Sequence, residues 1–253
     1  MKLHFRTIGQ GKPLIILHGL FGSSDNWQTI GKIFAERFKV YMVDLRNHGN
    51  SPHSNEFTYD LIDEDLIGLL DDEGLKKAHV LGHSLGGKVG MHLSTRFQDR
   101  VDKLVVIDIA PKYYPPHHQD VFRAFRSVDL DAIKSRKEAS DQMSTIDLPF
   151  GVRQFILKNL TRNEDEQFIW KVNLDVLERA NDKIGGGFGK NGVFTNPTLF
   201  IAGENSDYIL PEDHEKIGRL FPSSKIETIA GAGHWVHADK PEELREMVLE
   251  FLA

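Results

Sequence analysis

The chain has 253 residues, of which 40% are hydrophobic and 27% charged, so it is long enough for one large α/β domain or two small ones. Its formal net charge of −6 argues against nucleic acid and anionic membranes as the main partners. Cysteine is absent, which excludes disulfides, a thiolate metal site and a cysteine nucleophile.

The first part of the chain alternates between strand and helix patterns. Short apolar runs predict strands at residues 3–8, 13–17, 40–44, 78–81 and 103–109. Helical spacing of apolar side chains predicts helices at residues 25–38, 59–70 and 87–97. The link Gly9-Gln10-Gly11 indicates that the first two strands form a hairpin. Such an alternation is typical of a mostly parallel sheet with helices on both faces.

This alternation stops after residue 110 and resumes near residue 193. Between them lie an early proline-rich stretch, helical periodicity at residues 121–125, 132–143, 152–160 and 168–177, and a glycine-rich run at residues 185–189. Strands at 198–202 and 226–229 and helices at 211–221 and 242–252 follow. We therefore predict an α/β core formed by residues 1–110 and 193–253. Residues 111–192 would form a helical cap, inserted after the sixth strand and lying over the ligand-binding crevice of the sheet.

The strongest local signal for chemistry is Gly82-His83-Ser84-Leu85-Gly86, which stands between a predicted strand and a predicted helix. This is the G-x-S-x-G pattern of a nucleophile elbow in its strand–turn–helix context. The glycines let the strand and helix pass closely, and the serine hydroxyl stands free at the positive end of the helix. The pattern predicts that Ser84 is a catalytic nucleophile.

A serine hydroxyl needs a base that takes its proton and an acid that orients the base. His234 is the predicted base, because it follows the last predicted strand on the same sheet edge as Ser84. Two acids remain open. Asp108 ends the strand before the cap, and Asp207 lies in the loop after the strand at 198–202. We favour Asp108, with Ser206 as a hydrogen-bonding group in the site, and keep Asp207 as the alternative.

The oxyanion formed during acyl transfer needs two N–H donors in place. One is the backbone amide of Leu85, which follows the nucleophile. The other is expected from His18-Gly19-Leu20-Phe21-Gly22, after an early strand, with the Leu20 amide favoured over that of Phe21.

Aromatic side chains near these loops suggest an acyl pocket, and we assign Phe21 and Trp235 to substrate binding. His117 and His118 lack further ligands at useful spacing, so they do not predict a metal site. The run at residues 185–190 falls short of a phosphate loop. The sequence predicts neither a cofactor nor a metal.

Four separated motifs carry a resemblance that spans essentially the whole chain: HGLFGS at 18–23, DLRNHGNSP at 44–52, GHSLGGK at 82–88 and GHWVHADKP at 233–241. On these residues the chain resembles the α/β-hydrolase fold superfamily, most of all the small bacterial YbfF-type esterases and their mitochondrial relatives of the ABHD11 type. The resemblance implies an esterase or acyl-thioesterase with a helical cap and no cofactor. By position it implies Ser84 as nucleophile, His234 as base and Leu20 and Leu85 as oxyanion donors. The chain departs from the broad superfamily at Ser206, which occupies the usual seat of the acid.

The sequence therefore predicts a serine hydrolase for a small-molecule acyl ester or thioester. An acyl-CoA thioesterase, a C–C bond hydrolase, an acyltransferase and a non-catalytic ligand receptor on the same scaffold remain alternatives. The intact Ser84 and His234 tell against the receptor. With no signal-peptide pattern and no apolar run near the roughly 18 residues of a membrane helix, we expect a cytoplasmic protein without membrane insertion. The oligomeric state stays open.

Overall fold

Nine strands and eleven helices make up the part of the chain that the computed structural model describes, residues 1–186 and 192–253. The strands are Phe5–Ile8 (β1), Lys12–Leu17 (β2), Phe38–Val43 (β3), Ala78–His83 (β4), Val101–Ile107 (β5), Leu160–Arg162 (β6), Phe168–Trp170 (β7), Thr198–Gly203 (β8) and Ser224–Ile229 (β9). The helices are Gln28–Phe34 (α1), Tyr59–Asp72 (α2), Leu85–Arg96 (α3), Gln119–Arg126 (α4), Arg136–Met143 (α5), Phe150–Leu157 (α6), Leu174–Arg179 (α7), Asn181–Gly185 (α8), His214–Leu220 (α9), Val236–Asp239 (α10) and Pro241–Leu252 (α11). Short 3-10 turns lie at Ser24–Trp27, Gln98–Arg100 and Pro211–Asp213.

Seven strands form one sheet in the order β1-β3-β2-β4-β5-β8-β9. All neighbouring pairs are parallel except β1 with β3. The carboxyl ends of β2, β4, β5, β8 and β9 therefore meet at one edge, which is where open sheets of this kind bind ligands.

The expected hairpin of the first two strands is wrong, because β3 lies between β1 and β2. The connecting Gly9 and Gly11 have φ values of 83° and 108°, in the left-handed region that favours glycine. A Cβ at Gly9 would lie 2.4 Å from the Phe38 carbonyl oxygen and 2.5 Å from that of Ala35. The glycines thus let the connection cross closely over the chain that leads into β3.

Side chains of the sheet alternate between two apolar layers. In β2, Leu14 and Ile16 pack with α1 and α11, whereas Ile15 and Leu17 pack with α2 and α3. All four side chains are almost fully buried. Helices therefore cover both faces of the sheet, as the sequence predicts. Within the described residues, no helix is both long and apolar enough to cross a membrane.

The chain between β5 and β8 holds α4 to α8 and a small two-stranded sheet, β6 with β7. The sequence missed this sheet: the helix expected at 152–160 ends at Leu157, and the one expected at 168–177 starts only at Leu174. The Asn163 side chain closes the β6–β7 turn by accepting from the Gln167 backbone N–H at 2.9 Å. Trp170 on β7 packs edge-on against Phe125 of α4.

Five strands precede this insertion in chain order, so it follows the fifth strand and not the sixth. The five apolar runs before residue 110 correspond to β1 to β5, so the error lay in the number given to the last of them. The apolar layer that contains α2 and α3 continues into the insertion through Phe122, Phe125 and Leu177. Residues 187–191, which include most of the glycine-rich run singled out in the sequence, lie outside the described residues.

Candidate active site

Ser84 stands on the sharp turn between β4 and α3, with φ 52° and ψ −116°. A side chain on either flanking glycine would block this turn. A Cβ at Gly82 would lie 2.1 Å from the Gly86 carbonyl oxygen, and a Cβ at Gly86 would lie 2.2 Å from the Leu17 carbonyl oxygen. The glycines of the motif therefore permit the close strand–helix crossing that holds Ser84 in its strained backbone conformation.

His234 and Asp108 meet at the same sheet edge. The His234 Nδ1 atom donates to Asp108 Oδ2 at 2.7 Å. Asp108 follows β5, has φ 51° and is fully buried. Its Oδ2 also accepts from the Ser206 hydroxyl at 2.5 Å, and its Oδ1 accepts from the Gly203 N–H at 3.0 Å. The carboxylate thus has three donors, and the contact at Nδ1 leaves Nε2 of the imidazole available to a substrate or nucleophile.

Asp207, the alternative acid, lies exposed in the loop after β8. Among the described residues we find no hydrogen bond or ion pair of its carboxylate with His234. The carboxylate beside His234 is that of Asp108. Ser206 lies where the sequence analysis expects it, with its hydroxyl on the Asp108 carboxylate.

His83, directly before Ser84, joins the elbow to the His234 loop. Burial, together with the neighbouring His237 and His234, holds the pKa of His83 well below its usual value. The neutral ring donates from Nε2 to the His234 carbonyl oxygen at 2.8 Å. The His234 ring itself stacks on the Tyr208 ring, with ring centroids 3.9 Å apart. These two contacts fix the position of the imidazole, and nothing in the sequence pattern singled out Tyr208.

The loop after β2 is held beside the elbow by His18. Its Nε2 accepts from the Leu45 N–H at 3.0 Å, and its Nδ1 donates to the Gly19 carbonyl oxygen at 2.8 Å. Burial lowers the pKa of His18, which favours this neutral form. A Cβ at Gly19 would lie 3.5 Å from the Cβ of Ser84, so the loop approaches the nucleophile closely.

Among the described residues, the backbone N–H groups of Leu20 and Leu85 donate to no turn, loop or side-chain acceptor, and the same holds for the Phe21 N–H that the sequence analysis ranked second. Leu20 follows Gly19 in the loop, and Leu85 is the first residue of α3. Both side chains are buried. Unpaired N–H groups in such positions are suited to binding a developing oxyanion.

A cavity opens beside Ser84, with about 390 Å³ of empty space when the part open to solvent is included. Apolar side chains of the core, Leu20, Leu85 and Ile109, face Tyr114 and Ile184 of the insertion across it. Such a space suits a small ligand with an apolar group.

The two aromatic residues assigned to substrate binding are not part of this lining. Phe21 is only 3% exposed and packs against Phe122 and Phe125 of α4. Trp235 lies against Phe155 of α6. Both residues instead pack against the insertion, because its apolar helices cover the loops that carry them.

Lys88, one helical turn after Ser84, is a buried cavity residue that the sequence analysis did not identify as functional. Its ammonium donates to the carbonyl oxygens of Lys112 at 2.9 Å, Gly185 at 2.7 Å and Gly186 at 2.5 Å. Burial lowers the pKa of Lys88 to about 7. This side chain joins the nucleophile helix to both the beginning and the end of the insertion.

The pair His117 and His118 lies at the cavity, where His117 Nε2 is 2.6 Å from the Tyr208 hydroxyl. Burial lowers the pKa of His118 to about 4. Across residues 1–186 and 192–253 we find no group of three or more His, Asp or Glu side chains placed to hold a metal ion.

Comparison with known proteins gives four consistent matches. A family model described as alpha/beta hydrolase fold matches residues 12–241. The chain is 40% identical to the "sn-1-specific diacylglycerol lipase ABHD11" of Mus musculus, over 95% of this chain and 80% of the mouse protein. It is 36% identical to "Esterase YbfF" of Escherichia coli (strain K12), over 100% and 99% of the two chains. A solved structure titled "Marine microorganism esterase" superimposes with a TM-score of 0.96 at 41% identity, over 99% of both chains.

Proposed function

The chain belongs to the α/β-hydrolase fold family and is a carboxylic ester hydrolase, and on that premise we propose that Ser84, His234 and Asp108 are its catalytic triad. The observation that carries the proposal is the contact of His234 Nδ1 with the buried Asp108 carboxylate at 2.7 Å, at the sheet edge where Ser84 stands on its elbow. This is the arrangement in which an imidazole takes a proton from a serine hydroxyl.

The steps follow from this arrangement. The Ser84 Oγ attacks the acyl carbonyl carbon while His234 Nε2 takes the hydroxyl proton, and the Leu20 and Leu85 N–H groups bind the oxyanion. Collapse of this intermediate breaks the ester bond, and His234 gives the proton to the leaving alcohol. Water then attacks the acyl-enzyme with His234 again as base, which releases the acid and restores Ser84. Asp108 keeps the Nδ1 proton on the imidazole and stabilises its cationic form.

We propose a neutral small-molecule ester with an apolar acyl group as substrate, because apolar side chains dominate the cavity beside Ser84. A diacylglycerol, which the name of the mouse relative gives, belongs to this class. An acyl thioester would react by the same steps. We further propose that residues 111–192 act as a cap over a core of residues 1–110 and 193–253, and that the enzyme is cytoplasmic, which fractionation of cells would test.

The test combines turnover with active-site labelling. Wild type, Ser84→Ala and Ser94→Ala are compared in hydrolysis of p-nitrophenyl butyrate and in reaction with a fluorophosphonate probe. Ser94 is a control because it lies on the same helix and its hydroxyl donates to the Met91 carbonyl oxygen. We expect Ser84→Ala to lose at least ~10³-fold in kcat and all labelling, with Ser94→Ala within about twofold of wild type. Labelling of wild type without turnover of any ester would favour the ligand receptor instead.

A further inference from the structure

A second cavity shares part of its lining, at α8, with the cavity beside Ser84. It has about 480 Å³ of empty space. The buried Phe57 and Ile184 line it together with Thr58, Tyr59 and His92, and Asp60 and Lys183 are its exposed members. Apolar side chains inside and charged side chains at the rim are suited to an alkyl chain whose end approaches solvent.

Ile184 lines both cavities. It is 6% exposed and lies on the last turn of α8. Ile184 is therefore common to the space beside Ser84 and the space beside Tyr59.

The backbone that carries Ile184 is held from several directions. The Tyr59 hydroxyl donates to the Ile184 carbonyl oxygen at 2.7 Å, and the Lys88 ammonium donates to the carbonyl oxygen of Gly185 at 2.7 Å. The Tyr114 N–H donates to that same Gly185 oxygen at 2.8 Å. A Cβ at Gly185 would lie 2.0 Å from the Tyr114 carbonyl oxygen, so the backbone at Gly185 packs directly against the backbone at Tyr114. With this backbone fixed on both sides, the size of the partition depends on the Ile184 side chain.

We propose that Ile184 sets the acyl-chain length that the enzyme accepts, by closing the catalytic cavity against the second cavity. The proposal rests on the ester hydrolysis argued above. A short acyl group would lie beside Ser84, whereas a longer one would reach Ile184 at the wall of the same cavity. Shortening that side chain would open the acyl site toward the second cavity. Each methylene group that then leaves water contributes roughly a fourfold gain in binding.

The experiment measures kcat/KM for p-nitrophenyl esters from acetate to dodecanoate with wild type, Ile184→Ala and Ile184→Phe. For Ile184→Ala we expect the ratio of decanoate to acetate to rise at least about tenfold, because three or four methylenes gain an apolar site. For Ile184→Phe we expect the ratio to fall, because the larger ring extends the partition. Because the two substitutions are expected to change the decanoate-to-acetate ratio in opposite directions, either variant alone still tests the proposal if the other is unstable.

Ile133→Ala is the matched control. Ile133 is also 6% exposed, lies in the insertion and lines neither cavity. It tests whether a general loosening of the insertion changes chain-length preference, and we expect its ratio to stay within twofold of wild type. An unchanged ratio in both Ile184 variants, or an equal rise in Ile133→Ala, would overturn the partition while leaving ester hydrolysis intact. Failure of wild type to hydrolyse any ester would instead refute the proposed function.

Discussion

The choice between two acids is a matter of single residues. The fully buried Asp108 carboxylate accepts hydrogen bonds from His234, Ser206 and Gly203, whereas the Asp207 side chain is exposed. In Asp108→Asn, the amide group no longer stabilises the imidazolium and favours the wrong imidazole tautomer. We expect kcat for p-nitrophenyl butyrate to fall by about 10⁴.

Asp207→Asn is the matched control, since it makes the same change in the neighbouring loop. We expect its kcat to stay within about twofold of wild type, because its carboxylate has no contact with His234. Circular dichroism and thermal unfolding of both variants check that each is folded. Equal losses in the two variants, or a larger loss in Asp207→Asn, would contradict the assignment of Asp108.

Ser206→Ala tests a positioning residue that acts through Asp108. Its hydroxyl is one of three donors on that carboxylate, so the remaining two keep the carboxylate in place. We expect kcat to fall by about tenfold with little change in KM, in line with the loss of one hydrogen bond to a charged group. Ser206→Thr, which keeps the hydroxyl, is expected to restore most of the rate.

Among single residues, the sequence predicted those whose role is marked by a local sequence pattern. The glycine pattern around Ser84 and the order of serine, acid and histidine are local features, and the structure places Ser84 and His234 at one sheet edge. The sequence favoured Asp108 but kept Asp207 open, because the choice depends on which side chain is buried. Tyr208 and Lys88 have no motif of their own, since their roles come from ring stacking and from carbonyls far away in the chain.

At the scale of elements, the crossing of β4 and α3 determines whether the nucleophile elbow forms. Gly86 lies so close to β2 that a Cβ would be 2.2 Å from the Leu17 carbonyl oxygen, and backbone cannot move aside as a flexible side chain can. We expect Gly86→Ala to lower the free energy of unfolding by about 2 kcal/mol or more. We also expect it to reduce ester turnover at least tenfold, because the helix start must shift. Urea unfolding and a kcat measurement check both.

Gly68→Ala is the contrasting substitution, because Gly68 lies in α2 with nothing within 4 Å of its built Cβ. A helix interior favours alanine over glycine by up to about 1 kcal/mol, so we expect this variant to be more stable than wild type, with unchanged turnover. Destabilisation of similar size by both substitutions would mean that the elbow is no more restrictive than an ordinary helix position.

The elements themselves were largely predictable, because burial on both sheet faces produces short apolar runs and packed helices produce a 3.6-residue period. Pairing was not predictable in the same way. The partner of β1 is β3, which lies about thirty residues further along the chain, and no local turn pattern reports it. Residues 168–170 have apolar side chains that suit a helix or a strand. They form a strand because they pair with residues 160–162.

At the scale of the whole molecule, several buried histidines tie stability to pH. Burial lowers the pKa of His48 to about 3, with His18 nearby adding to the effect, and burial lowers the pKa of His237 to about 4. The unfolded chain takes up these protons near pH 6.5. The unfolded state therefore binds more protons than the native state below that pH, and the free energy of unfolding falls as the pH drops from about 6.5 toward the native pKa values.

Each such histidine contributes about 1.4 kcal/mol per pH unit in this window. Urea unfolding at pH 7.5 and 5.5 measures the effect in wild type and in His48→Gln. We expect wild type to lose about 1.4 kcal/mol more than His48→Gln between the two pH values, whatever the absolute stability of the variant. Phe57→Leu, which removes packing against the His48 ring without removing a titratable group, should lose as much as wild type. Equal losses in wild type and His48→Gln would show that His48 is not a source of this pH dependence. A histidine that burial keeps neutral in the native state gains its proton only on unfolding, so its removal must reduce the loss.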